Sequence, residues 1–189
     1  MNLPNQLTVG RLVLSVFFVA CLSVKFPFSH TAALVLFLIA TITDYLDGVI
    51  ARRHGLITDF GKLMDPLADK ILTAAAFICL LPFGAMPGWV VIIIIAREFL
   101  ITGLRLLAGA KGVVLPAEKL GKHKTAWQMA TIIFFLLLLA LSDWSSSRLA
   151  WVPVAWSSVG PVMVTITTVL TVYSGMGYFW KNRALIENA

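Results

Sequence analysis

Six apolar runs take up most of this chain, at about residues 7–24, 31–52, 61–81, 89–108, 125–141 and 159–180, with short polar connections between them. Each comes close to the roughly 20 residues that a helix needs to cross a bilayer. The chain has 189 residues, 59% of them hydrophobic, and six such helices leave space for almost nothing else. The expected fold is therefore all-α: one polytopic membrane domain over residues 1–189 with six transmembrane helices. The opening MNLPNQLTVG is too polar to cross, and a short interfacial helix is expected there after Pro4. The first apolar run could pass for a signal peptide, yet no small-residue cleavage site with a soluble domain follows it, so it reads as a retained helix.

The charges orient this bundle. With the N-terminus in the cytoplasm, twelve of the fifteen Lys and Arg fall on the cytoplasmic side, Lys25 and Arg148 fall outside, and Arg97 lies within a span. That is the positive-inside bias. It places both termini in the cytoplasm, and it explains the net charge of +6 without a nucleic-acid partner. Cys21 and Cys79 sit in apolar runs without metal-ligand spacing and read as small buried hydrophobes. The tryptophans Trp144, Trp151, Trp156 and Trp180 read as interface anchors.

Five of the nine acidic residues fall in the one stretch DYLDGVIARRHGLITDFGKLMDPLAD, residues 44–69. Such charge is costly near a bilayer unless it is compensated. Asp44 and Asp47 are spaced i,i+3 and Asp65 and Asp69 i,i+4, so each pair lies on one helix face. A loop of about eight residues with Gly55 as helix stop would make the two helices antiparallel neighbours, with Pro66 in the first turns of the second. Four hard oxygen donors in that arrangement suit Mg²⁺ or Mn²⁺. Two cations sharing carboxylates fit better than one, and such a pair is a common clamp for phosphoryl transfer. Gly48, Ala51 and Gly61 leave room for a planar base between the helices, and Arg52 can reach a phosphate. The alternative reading of the small residues is close helix packing.

Asp44-x2-Asp47-Gly48-x2-Ala51-Arg52-x8-Gly61-x3-Asp65-x3-Asp69 resembles the complete signature of the CDP-alcohol phosphotransferases, with every fixed position filled. The resemblance implies a six-helix membrane fold, a homodimer, a dimetal site open to the cytoplasm, and attack of an alcohol on a CDP-linked lipid with release of CMP. Carried onto this sequence, it makes Asp44, Asp47 and Asp65 metal ligands and Asp69 both ligand and general base. It assigns the CDP moiety to Gly48, Arg52 and Thr58, with Ala51 and Gly61 beside them. Asn5, Thr8 and Arg11 are similar to the family's N-terminal contribution to the nucleotide-lipid site.

The signature leaves the acceptor open. Arg105, Lys111, Lys122 and Lys124 border the longest polar loop, and a basic pocket there suits an acceptor that carries phosphate. The segments IAREFLITGLR at 95–105 and LGKHKTAWQM at 120–129 are similar to the bacterial phosphatidylglycerophosphate synthases within that family. This implies CDP-diacylglycerol as donor and sn-glycerol 3-phosphate as acceptor. Sister enzymes of the cardiolipin synthase or phosphatidylinositol-phosphate synthase type are the alternative. A divalent-cation transporter fits less well, because the acids gather at one end rather than near the midplane. Glu98 is expected to balance its neighbour Arg97, and His30, His54 and His123 show no paired spacing.

Overall fold

The computed structural model describes residues 3–54, 59–110, 119–144 and 151–183, and every element in them is helical. They form α1 (Leu3–Ser23), α2 (Ser29–His54), α3 (Asp59–Leu80), α4 (Gly88–Ala110), α5 (Lys119–Trp144) and α6 (Trp151–Lys181), with a 3-10 turn at Leu81–Phe83. The helices run longer than their apolar runs, since polar residues at the ends continue the backbone ladder. The N-terminal turns are not a separate interfacial helix. They are the start of α1, because a proline in a first turn forfeits no backbone bond. Likewise α3 begins at Asp59, which puts Pro66 at its eighth residue, about two turns in rather than in its first turns. Gly55, the expected helix stop, lies outside the described residues.

Among the described residues, two helices are long and apolar enough to cross a membrane, α5 from Gly121 to Trp144 and α6 from Trp151 to Lys181. The apolar parts of α1, α2 and α3 are shorter. Their ends carry polar and charged residues such as Thr8, Arg11, Asp44 and Lys70, and α4 carries Arg97, Glu98 and Arg105 inside its length. At 31 residues α6 is ~46 Å long, well beyond the ~30 Å of a hydrocarbon core.

α1 packs against α2 and α3, α2 also meets α5, α5 pairs with α6, and α4 lies against α6. Phe18 of α1 and Phe37 of α2 face each other at 5.7 Å between ring centres, in a core that continues through Phe77, Ile132 and Phe135. Trp156 joins it, 4.8 Å from the Phe135 ring, so this tryptophan is a packing residue rather than a surface anchor. Hydrophobic burial does not account for the rest of the interior. Thr131, Thr167, Thr171, Ser174 and Gln128 are buried, while Val16 and Ile92 are each 69% exposed. Polar groups inside and apolar ones outside suit a lipid surround.

The seam between α5 and α6 shows how those polar groups are satisfied. Thr131 and Thr167 share a hydroxyl–hydroxyl bond of 2.7 Å, and Gln128 donates to Thr171 at 3.4 Å. Thr131 and Thr171 also donate back to carbonyls one turn earlier in their own helices, so each hydroxyl is used twice. At the end of the bundle remote from Asp44, the Asp143 carboxylate of α5 accepts from the Thr31 amide at 2.8 Å and the Thr31 hydroxyl at 3.0 Å. His30 Nδ1 is 2.7 Å from its other oxygen. A carboxylate there caps the α2 N-terminus from a neighbouring helix.

Candidate active site

α2 carries Asp44, Asp47, Gly48, Ala51 and Arg52 in its last turns, and α3 carries Gly61, Asp65 and Asp69 in its first ones. The backbone thus places all four aspartates on helices, as their spacing requires. Of the four side chains the structure describes that of Asp44, whose Oδ1 lies 2.6 Å from Arg11 Nη1. Arg11 is only 1% exposed and Asp44 45% exposed, so a buried guanidinium holds a carboxylate that still faces solvent on one side. Thr8, three residues before Arg11 and on the same face of α1, is fully buried. Ser15, one turn after, donates to the Arg11 carbonyl at 2.8 Å. Two residues from the weaker N-terminal match, Thr8 and Arg11, therefore line the side of α1 that reaches the first aspartate. The position of Asn5 is on the first turn of α1, while Thr58 lies outside the described residues.

The donor set suits a hard dication. Among the described residues no group of three or more His, Cys, Asp or Glu is clustered tightly enough to hold a metal. The Asp44 carboxylate itself keeps an oxygen that Arg11 does not take. Half-exposed and oriented from behind by a cation, it fits a metal ligand with a fixed outer partner.

The basic residues proposed for the acceptor divide into two groups. Arg105 of α4 donates from Nε to the Tyr178 hydroxyl of α6 at 3.2 Å, and its guanidinium sits 5.5 Å over the same ring. Lys124 of α5 is buried and bonded to the Glu98 carboxylate of α4. Lys122 is exposed, and Lys111 lies outside the described residues. Glu98 and Arg105 are seven residues apart on α4, so they share a face ~10 Å apart along the helix axis.

Several partners here were missed from sequence. Glu98 does meet Arg97, with Nη1 at 3.3 Å from Oε1, yet it is shared with Lys124. Arg97 also donates from Nη2 to Ser174 at 3.2 Å, and Lys70, next to Asp69, bonds the Thr102 hydroxyl. The signal for the α6 partners was present: Thr167, Thr171, Ser174 and Tyr178 recur at intervals of four, three and four residues, the period of one buried helix face.

Arg97 needs a gap on α6. A Cβ built on Gly175 would lie 2.9 Å from Arg97 Cγ, close to the root of a side chain already tied at its tip. Gly175→Ala is therefore expected to lower stability by about 1–2 kcal/mol, the strain outweighing the better helix propensity of alanine. Thermal unfolding in detergent checks this: an unchanged or raised midpoint would show that Arg97 gives way freely.

The model of the CDP-alcohol phosphatidyltransferase family matches residues 1–173. A CDP-diacylglycerol–glycerol-3-phosphate 3-phosphatidyltransferase of Bacillus subtilis (strain 168) is 40% identical over 193 residues, covering 96% of this chain and 95% of its own. One of the same name from Rickettsia bellii (strain RML369-C) is 35% identical, covering 94% and 93%. A probable phosphatidylglycerophosphate synthase of Mycobacterium tuberculosis (strain CDC 1551 / Oshkosh) is 42% identical over 143 residues, covering 74% and 68%.

Proposed function

This chain belongs to the CDP-alcohol phosphatidyltransferase family, and from that premise we propose that it transfers the phosphatidyl group of CDP-diacylglycerol to sn-glycerol 3-phosphate, giving phosphatidylglycerophosphate and CMP. The observation that carries the choice of acceptor is the 40% identity, over nearly the whole of both chains, to a relative whose name states both substrates. The reading is supported by the positions of the aspartates in the last turns of α2 and the first turns of α3, and by Arg105 and Lys122 on α4 and α5, cations that suit a second phosphate.

In this reading Asp69 accepts the proton of the acceptor hydroxyl as its oxygen forms a bond to the β-phosphorus of the donor. The bond from that phosphorus to the bridging oxygen breaks, and CMP leaves with the electron pair. No covalent enzyme intermediate is needed. Asp44, Asp47, Asp65 and Asp69 would hold two Mg²⁺ or Mn²⁺ ions, which supply neutralisation of the pyrophosphate charge. Asn5, Thr8, Arg11, Gly48, Ala51, Arg52, Thr58 and Gly61 hold the CDP end, and Arg105, Lys111, Lys122 and Lys124 the acceptor phosphate. The six helices cross a bacterial cytoplasmic membrane as a homodimer among its lipids, with both termini and the site on the cytoplasmic side, a placement the distribution of Lys and Arg supports.

The test is CMP release by purified protein with CDP-diacylglycerol and Mg²⁺ or Mn²⁺, with and without glycerol 3-phosphate. Release is expected to require glycerol 3-phosphate and to stop with a chelator. Release that needs a different alcohol would keep the family chemistry and overturn the acceptor.

A further inference from the structure

We infer that Tyr178 of α6 is a positioning residue for the acceptor: it aims the Arg105 guanidinium of α4 at the acceptor phosphate. The inference rests on the proposed function, which gives Arg105 to that phosphate. Arg105 is exposed, and a long side chain on a helix surface has many rotamers open to it. Two contacts restrict it, and both go to one ring. Nε donates to the Tyr178 hydroxyl at 3.2 Å, and the guanidinium carbon lies 5.5 Å from the ring centre. Tyr178 is itself only 3% exposed, so the ring is a fixed post rather than a second mobile surface group. It ends the buried stripe of α6, four residues after Ser174, and the Asn182 side chain one turn on donates to its carbonyl at 2.7 Å.

The chemistry of the pair suits an anion. Arg11 and Arg97 each face a carboxylate, at 2.6 and 3.3 Å, which offsets their charge. Arg105 meets no carboxylate among the described residues, and the group that holds it is a neutral phenol. Its positive charge is therefore left for a ligand. Nε is the one guanidinium nitrogen that a described residue takes. The edge formed by Nη1 and Nη2 remains, and that edge can grip a phosphate with two parallel bonds. The place of Arg105 fits the reaction as well. Thr102, three residues earlier and on the same face of α4, receives Lys70 of α3, the residue after Asp69. Arg105 thus stands about one turn from the contact that joins α4 to the helix carrying Asp69. A phenylalanine in place of Tyr178 would keep the ring beside the cation but give Nε no acceptor, and a leucine would remove both.

The experiment is steady-state CMP release by full-length Tyr178→Phe, Tyr178→Leu, Arg105→Gln and the Tyr178→Phe/Arg105→Gln double variant. Tyr178→Phe is expected to raise KM for glycerol 3-phosphate about fivefold, with kcat and KM for CDP-diacylglycerol within about twofold of the unaltered protein. Tyr178→Leu, which also removes the ring, should raise it about tenfold. Arg105→Gln should raise it at least as far, and adding Tyr178→Phe to it should bring no further rise, since the residue through which the phenol acts is gone. Multiplicative effects in the double variant would overturn the inference. So would equal rises in both KM values, or unchanged kinetics in Tyr178→Phe, with or without a lowered melting temperature. If Tyr178→Leu does not fold, Tyr178→Phe, which leaves the ring in place, carries the comparison. An Arg105→Gln variant with unchanged KM for glycerol 3-phosphate would remove Arg105 from the proposed acceptor site, and the inference with it. If the unaltered protein needs another phosphorylated alcohol, the choice of acceptor fails on its own, and Tyr178 is judged on KM for that alcohol. An acceptor without phosphate overturns both.

Discussion

Asp69→Asn is expected to cut CMP release by about 10²–10⁴ while leaving the protein folded. Asparagine keeps the shape of the side chain and can still accept a hydrogen bond, but it cannot take the proton of the attacking hydroxyl. Asp69 stands one turn after Asp65 on α3 and directly before Lys70, whose tie to Thr102 anchors that turn to α4. The backbone position is therefore held by neighbours that the substitution does not touch. Melting in detergent with and without metal is the control. An Asn variant with normal turnover would remove Asp69 as the base, whatever its part in holding metal.

Arg11→Met should have the second largest effect, and through a different route. The guanidinium is buried and 2.6 Å from a half-exposed carboxylate, so its loss leaves Asp44 able to take up water. The ~3–5 kcal/mol typical of breaking a buried pair is thus too high, and a stability loss of about 1–2 kcal/mol is expected. Activity should suffer more. Asp44 would no longer be oriented from behind, and loss of such an outer partner typically costs 10–100-fold in metal affinity or activity. The check is the Mg²⁺ concentration for half-maximal CMP release, which should rise about tenfold or more. Arg11→Lys should restore only part, since a point charge does not reproduce the planar fork. A metal requirement unchanged in Arg11→Met would show that Asp44 is held by other means.

How far the sequence reveals this arrangement depends on the distance over which each partner lies. The helices follow from hydrophobic runs and the aspartate pairs from spacing within one helix, both local signals. The ends were harder. Pro4 reads as the start of a separate element, and Pro66 as a residue of the first turns of α3, because a proline marks a possible boundary without saying on which side the helix continues. Charge partners were hardest. Glu98 was matched to Arg97, one residue away, whereas its second partner Lys124 is 26 residues distant. His30 looked unpaired because its carboxylate, Asp143, is 113 residues on. Arg11 was legible as part of a weak motif, but nothing in its spacing named Asp44. The α6 stripe is readable in full from sequence, but only when hydroxyl residues count toward a buried face.

The order in which these bonds form during synthesis follows from where their partners lie in the chain. Arg11 finds Asp44 within the first two helices, and the α5–α6 seam closes within the last two. The middle of the chain is different: Glu98 waits for Lys124, and Arg97 waits for Ser174. A nascent chain that has not yet delivered α6 holds a guanidinium on α4 without its hydroxyl partner. Lys70 of α3 is tied to Thr102, one turn further along α4. The Lys70–Thr102 tie needs only the first four helices, so α3 can be fixed to α4 while Arg97 still lacks Ser174 and Glu98 still lacks Lys124.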